Sequence, residues 1–145
     1  MILQLLFHWI GDYLLQSDWM ALNKTKKDIP CYIHCFLYTL PFWLLTSEGW
    51  NTWLLGSLSF IFWSHFIIDR FSLVKYLIYF KNHINPSFSY KPWKYCNTTG
   101  YFDNLKQLPI IGYADIRPGY ITIWLYIITD NGLHLICNYL ALKYL

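Results

Sequence analysis

Three histidine–aspartate pairs in this chain are spaced four residues apart: His8 with Asp12, His65 with Asp69, and Asp130 with His134. A further histidine, His34, stands in an apolar run flanked by Cys31, Cys35 and Tyr38. Residues i and i+4 share one face of a helix, so each pair aims an imidazole and a carboxylate toward a common point. Helical zinc and di-iron centres are built this way. These seven side chains are enough for one or two divalent ions. Mixed imidazole and carboxylate donors suit zinc, manganese or iron better than magnesium. Gln4 and Gln16 extend the first stripe by one turn each, and Tyr126 and Asn138 extend the last. They are natural outer partners to orient the proposed ligands. Arg70, next to Asp69, is placed to meet an anionic substrate group.

The elements that must position these residues are apolar. Four such segments are legible: Met1 to about Leu22, Ile29 to about Thr46, Gly49 to Ile68 with a helical continuation to Phe80, and Pro118 to Leu142. Each approaches the roughly 20 residues that cross a bilayer. Pro41 is expected to kink the second, and Pro118 suits the first turn of the fourth. The stretch from 81 to 117 is of another kind. It holds Pro86, Pro92 and Pro109, several lysines, and Tyr90, Trp93 and Tyr95. It is expected to be a polar-aromatic loop able to cover the site at the membrane interface. The expected fold is therefore all-α, a single transmembrane domain over 1–145 with a bundle of about four helices.

Composition agrees with a membrane setting. Hydrophobic residues make up 56% of the chain and charged residues 13%, against roughly 25% charged in soluble domains. Ten of the eleven Lys and Arg residues follow either segment one or the core of segment three. The positive-inside rule then places both basic loops in the cytoplasm and both termini outside. A net charge of +3 without a dense basic run is too small to argue for nucleic acid, and no nucleic-acid partner is expected. The four cysteines form no C-x-x-C pair, so buried free thiols are expected rather than a zinc finger or a redox motif.

Polar groups in lipid must face one another. An ionisable side chain near the bilayer centre costs about 2.5–3.5 kcal/mol on insertion scales. His8, His34, His65, His134, Asp12, Asp69 and Asp130 all lie inside the apolar segments. Pointing outward they would oppose insertion, whereas pointing inward they can bind a metal or one another.

The string from His8 through Gly11-Asp12-Tyr13 to Trp19-Met20-Ala21 resembles the opening of the "domain of unknown function 3307" family of bacterial and phage membrane proteins. His34, the run His65-Phe66-Ile67-Ile68-Asp69 and the run Asp130-Asn131-Gly132-Leu133-His134 resemble the same family. Asn131 stands where the resemblance leads one to expect Gln. A looser similarity is to membrane-bound metal-dependent hydrolases. The donor set is in keeping with a metal-dependent hydrolase, and the lipid surroundings and basic flanks lead one to expect a phosphoester or lipid-linked substrate near the cytoplasmic interface. Two other readings stay open. One is a non-enzymatic membrane protein that binds a host or phage partner through polar helix contacts. The other is a proton or ion conductor.

Overall fold

The computed structural model describes residues 2–46, 52–83 and 119–144. Every regular element among them is helical: α1 (Ile2–Trp9), α2 (Asp18–Asn23), α3 (Asp28–Thr39), α4 (Thr52–Phe71), α5 (Leu73–His83) and α6 (Gly119–Tyr144). A π-helical turn over Ile10–Leu14 follows α1, and a 3-10 turn over Leu40–Thr46 follows α3. Among the described residues no helix is long and apolar enough to cross a membrane.

The first apolar segment is not one helix. It widens into the π-turn at Ile10, ends at Leu14, and restarts at Asp18. The restart is encoded locally. Ser17 has extended backbone and its hydroxyl accepts from the Met20 N–H at 3.4 Å. Asp18 then sits in the first turn, where the exposed N–H groups favour an acid. The second segment changes from α to 3-10 geometry at Leu40, beside Pro41. Proline removes a hydrogen bond and crowds the preceding turn, so the expected kink takes the form of tighter winding. The third segment does continue to His83 but is broken at Ser72, whose φ is 50°. That left-handed conformation is uncommon for a residue with a Cβ, and it stops α4. Residues 81–83 finish α5. The rest of the expected loop, and the turn holding Glu48, lie outside the described residues.

The chain divides into two compact units. One comprises residues 1–72 and 132–145, and the other comprises residues 73–131. In the second unit Val74 and Ile78 of α5 are fully buried. In the first, α3 packs chiefly on α4. One apolar cluster there joins Phe7, Tyr38, Phe42, Leu58, Ile61 and Ala141. A smaller one joins Cys31, Cys35 and Phe66, and both these cysteines are free thiols. The C-terminal part of α6 is tied down by polar contacts. The Gln4 amide donates to the Leu135 carbonyl at 2.6 Å, and the Ser57 hydroxyl donates to the Ala141 carbonyl at 3.0 Å.

Gly11 fixes how closely the π-turn approaches α3. A Cβ at this position would lie 2.8 Å from Tyr38 Cδ2 and 3.0 Å from both the Cα and the carbonyl oxygen of Tyr38. Two of these neighbours are backbone and cannot swing away. Gly11→Ala is therefore expected to push the turn off α3 and to cost about 1–3 kcal/mol, the usual range for overpacking. Thermal or denaturant unfolding of the variant checks this, and an unchanged midpoint would contradict the close approach.

Candidate metal centre

The π-turn, α3 and α4 each deliver polar side chains to one buried point. His34 Nε2 lies 2.9 Å from His65 Nε2. Both nitrogens lie 3.1 Å from Asp69 Oδ2. Asp12 Oδ1 is 3.2 Å from His34 Nε2 and 3.8 Å from His65 Nε2. These four donor atoms all fall within 4.8 Å of one another, and all four residues are buried. The local fold explains the convergence. His65 and Asp69 share one face of α4 through their four-residue spacing. Asp12 is carried inward by the π-turn, a distortion often found where a helix bends to place a functional group. His34 stands one turn before Tyr38 on the buried face of α3.

The spacing fits a small ion. Zinc bound tetrahedrally at about 2.0–2.2 Å separates its donors by about 3.3–3.5 Å. The separations seen here run from 2.9 to 3.8 Å around that value. Protons for hydrogen bonding come from one N–H on each neutral imidazole and from the Lys24 ammonium, which lies 2.8 Å from Asp69 Oδ2.

Lys24 supplies the cation that sequence patterns did not place here. Its Nζ lies 2.8 Å from Asp69 Oδ2, 3.3 Å from His34 Nε2 and 3.8 Å from Asp12 Oδ1. With neutral imidazoles, one ammonium faces two buried carboxylates, so the cluster keeps an excess of one negative charge. A basic residue after an apolar segment looks like an orientation signal. Only the fold-back of α2 brings Lys24 to the carboxylates, and no periodic spacing announces that.

Tyr38 is the other residue the sequence pattern undervalued. It is fully buried. Its ring stacks on His65 with centroids 3.7 Å apart. Its hydroxyl accepts from the Asn138 amide at 2.6 Å and lies 2.8 Å from His8 Nδ1. The hydroxyl proton can then go to His8 Nδ1, which leaves the other ring nitrogen of His8 facing Asp12 Oδ2 at 3.9 Å. His134 also stacks on the His65 ring, with centroids 4.0 Å apart, and its Nε2 is 3.5 Å from Asp69 Oδ1. His65 thus packs against two rings, which orient it.

The other expected residues fall in several places. Asn138 donates to the Tyr38 hydroxyl, which also faces His8. Gln4 bonds the α6 backbone instead of a ligand. Gln16 comes after the helical run has stopped at Leu14, so it does not continue the stripe begun by Gln4, His8 and Asp12. Tyr126 and Asp130 lie on α6 within the second unit, both partly buried. Arg70 is engaged elsewhere: Nε donates to Asp28 Oδ1 at 2.6 Å and Nη1 to the Thr25 carbonyl at 2.8 Å. It ties the α2–α3 connection to α4.

Tyr38→Phe keeps the ring stack and removes the hydroxyl. Two buried groups, on His8 and Asn138, then lose a partner. The expected cost is about 1–3 kcal/mol of stability. Unfolding of the variant beside wild type measures it, and a neutral result would mean that the hydroxyl is not the hub of this network.

No curated protein and no solved structure matches the chain. One family profile does, over residues 1–92 of 145. That stretch carries Asp12, Lys24, His34, His65 and Asp69, while His134 lies beyond it. The chain belongs to the family described as "Protein of unknown function (DUF3307)".

Proposed function

We propose that this protein is a metal-dependent hydrolase acting at a membrane on a phosphoester or lipid-linked anionic substrate. The observation that carries the reading is the meeting of two imidazole nitrogens and two carboxylate oxygens, from three separate elements, at separations suited to one divalent ion. Asp12, His34, His65 and Asp69 would hold that ion, with zinc, manganese or iron favoured by the donor set. A divalent ion there supplies Lewis acidity toward a phosphoryl oxygen. The protein's own groups do the rest. Tyr38 and His134 hold the His65 ring in place. Tyr38 also steers His8 toward Asp12. Lys24 brings positive charge to the carboxylates and can follow an anionic group that approaches them. Arg70 binds an exposed carboxylate, Asp28, and an anionic headgroup at this edge would compete for the same guanidinium.

The membrane part of the proposal rests on inverted polarity. Ionisable groups fill the interior of the first unit, while Ile2, Leu44 and Trp53 are 79%, 75% and 69% exposed. Phe71, Trp124 and Ile128 are also exposed. Apolar surface on this scale calls for lipid or a partner. The same interior residues lower the hydropathy of the helices that carry them, as Ser57, His65 and Asp69 do in α4. An apolar exterior around a polar centre fits a bacterial inner membrane, with the basic connections on the cytoplasmic side.

Metal analysis of detergent-purified protein tests the reading first. At least one transition-metal ion per chain is expected, removable by chelator with a fall in melting temperature, and His65→Ala should reduce it. No bound metal, with stability indifferent to chelator, would leave a hydrogen-bonded packing network and no hydrolase. A second outcome follows from charge. The Lys24 ammonium and the ion compete for Asp69 Oδ2 and Asp12 Oδ1. Lys24→Met is therefore expected to bind zinc about tenfold more tightly, equivalent to about 1.4 kcal/mol, while its metal-free form is less stable than wild type. Calorimetric titration with zinc measures the affinity, and weaker binding in the variant would show that Lys24 supports the ion rather than displacing it.

A further inference from the structure

Residues 73–83 carry two lysines, Lys75 and Lys81, and no acid. Helical spacing sorts their apolar side chains into two stripes. Val74 and Ile78 form one, four residues apart. Leu73, Tyr76, Leu77 and Phe80 form the other, at i, i+3, i+4 and i+7. With about 100° of turn per residue, the two stripes are centred about 130° apart. They meet different surroundings in α5. Val74 and Ile78 are fully buried, whereas Tyr76, Leu77 and Phe80 are 39%, 46% and 64% exposed. A helix that packs in a globular protein needs one apolar stripe. Val74 and Ile78 already serve that need, so the second stripe answers another.

Length narrows the choice. The 11 residues of α5 make about 16 Å of helix, against about 30 Å of hydrocarbon in a bilayer. A helix this short does not cross. Laid along a membrane surface, it sinks an apolar stripe a short way below the headgroups and keeps its charges in water. The charges then select the surface. Lys81 lies one turn beyond Leu77 and is exposed, so it stands at the edge of the stripe, where a long apolar stem can lift an ammonium to phosphate level. Lys75 adds a second positive charge, and no carboxylate on α5 offsets either. An anionic leaflet attracts such a helix, and a neutral one does not. A second copy of this chain, itself of net charge +3, offers the lysines no such attraction.

We infer that α5 lies in the headgroup layer of the membrane and docks its stripe of Leu73, Tyr76, Leu77 and Phe80 on a bilayer surface rich in anionic phospholipid, with Lys81 against the lipid phosphates. This rests on the membrane reading above and adds to it a class of lipid and the segment that selects it. The stripe supplies the apolar grip common to any bilayer, and the lysines supply the preference for negative charge. Tyr76 suits the position, because a tyrosine ring is at home where one end is apolar and the other wet. The docking makes no use of the buried aspartates, so it stands whether or not their centre holds an ion.

The experiment reconstitutes the full-length protein into vesicles of phosphatidylcholine alone and of equal parts phosphatidylcholine and phosphatidylglycerol. Flotation reads membrane association, and hydrogen exchange followed by mass spectrometry reads the amides of residues 73–83. Wild type is expected to float with both vesicles. Exchange over 73–83 is expected to be about fivefold slower in the anionic ones at low salt, the effect of one lysine at the surface, and to lose that difference at high salt. Lys81→Gln and Phe80→Asp should each reduce the difference while flotation is unchanged. The wild-type comparison decides by itself if a variant does not fold. Equal exchange in the two vesicles, with flotation in both, would overturn the docking and leave the membrane reading intact. Protection that depends on the protein-to-lipid ratio and not on phosphatidylglycerol would give the stripe to a second copy and overturn it too. Flotation with neither vesicle would remove both readings together.

Discussion

Two carboxylates buried in an apolar interior are the constraint from which the rest of this structure follows. Asp12 and Asp69 are 7% and 5% exposed. An unpaired buried carboxylate is among the most costly groups a fold can hold. The chain surrounds these two with imidazoles from four positions and one ammonium. Each of those groups must arrive from a different part of the sequence. Removing a partner leaves a charge behind, so the members are coupled energetically and cannot be traded one at a time. The arrangement of α1, the π-turn, α3, α4 and the end of α6 is best understood as the shape that lets those groups meet.

Tyr38 is where packing and polarity join. One face of its ring supports His65, and its hydroxyl connects His8 to Asn138. The same residue belongs to the apolar cluster with Phe7, Phe42 and Ile61. A tyrosine can do this because its body is apolar and its tip is not. The close approach of Gly11 to the Tyr38 backbone sets the distance between the π-turn and α3. A glycine with no side chain in the contact thus governs where Asp12, the next residue, can reach. The placement of Asp12 depends on this backbone contact as much as on the groups that face it.

How much of this was legible in the sequence depends on the periodicity each part obeys. The all-helical class was legible, because apolar segments of helical length dominate the chain. The pairs His8/Asp12 and His65/Asp69 were legible, because four-residue spacing survives wherever a helix is continuous. His34 was legible only as a polar oddity in an apolar run. Gln16 was misplaced because spacing arithmetic assumes an unbroken helix, and the Ser17-Asp18 cap ends that assumption. The break at Ser72 carried no signal, since serine rarely adopts positive φ. Lys24 was hidden for a different reason. Its position depends on a turn folding back, and local patterns report helix faces rather than tertiary approach. The hydroxyl of Tyr38 was hidden likewise, because a tyrosine in an apolar helix reads first as packing.

The division of labour along the chain bears on how the centre is held. Asp12, His34, His65 and Asp69 all come from residues 1–72, and the family profile spans them entirely. The end of α6 is added through hydrogen bonds to its backbone carbonyls, from Gln4 to Leu135 and from Ser57 to Ala141, and through Asn138 to Tyr38. Backbone carbonyls are available at every turn of any helix, so the first two bonds fix the position of α6 without demanding a particular side chain from it. Only His134 and Asn138 then have to be specific. The group Asp12, His34, His65 and Asp69 is accordingly self-contained, while the ring that packs against His65 and the amide that bonds Tyr38 come only with α6. Loosening of α6 would therefore take its contacts away from the His65 ring and the Tyr38 hydroxyl first and leave Asp12, His34, His65 and Asp69 on elements of their own, a difference that lies in chain connectivity.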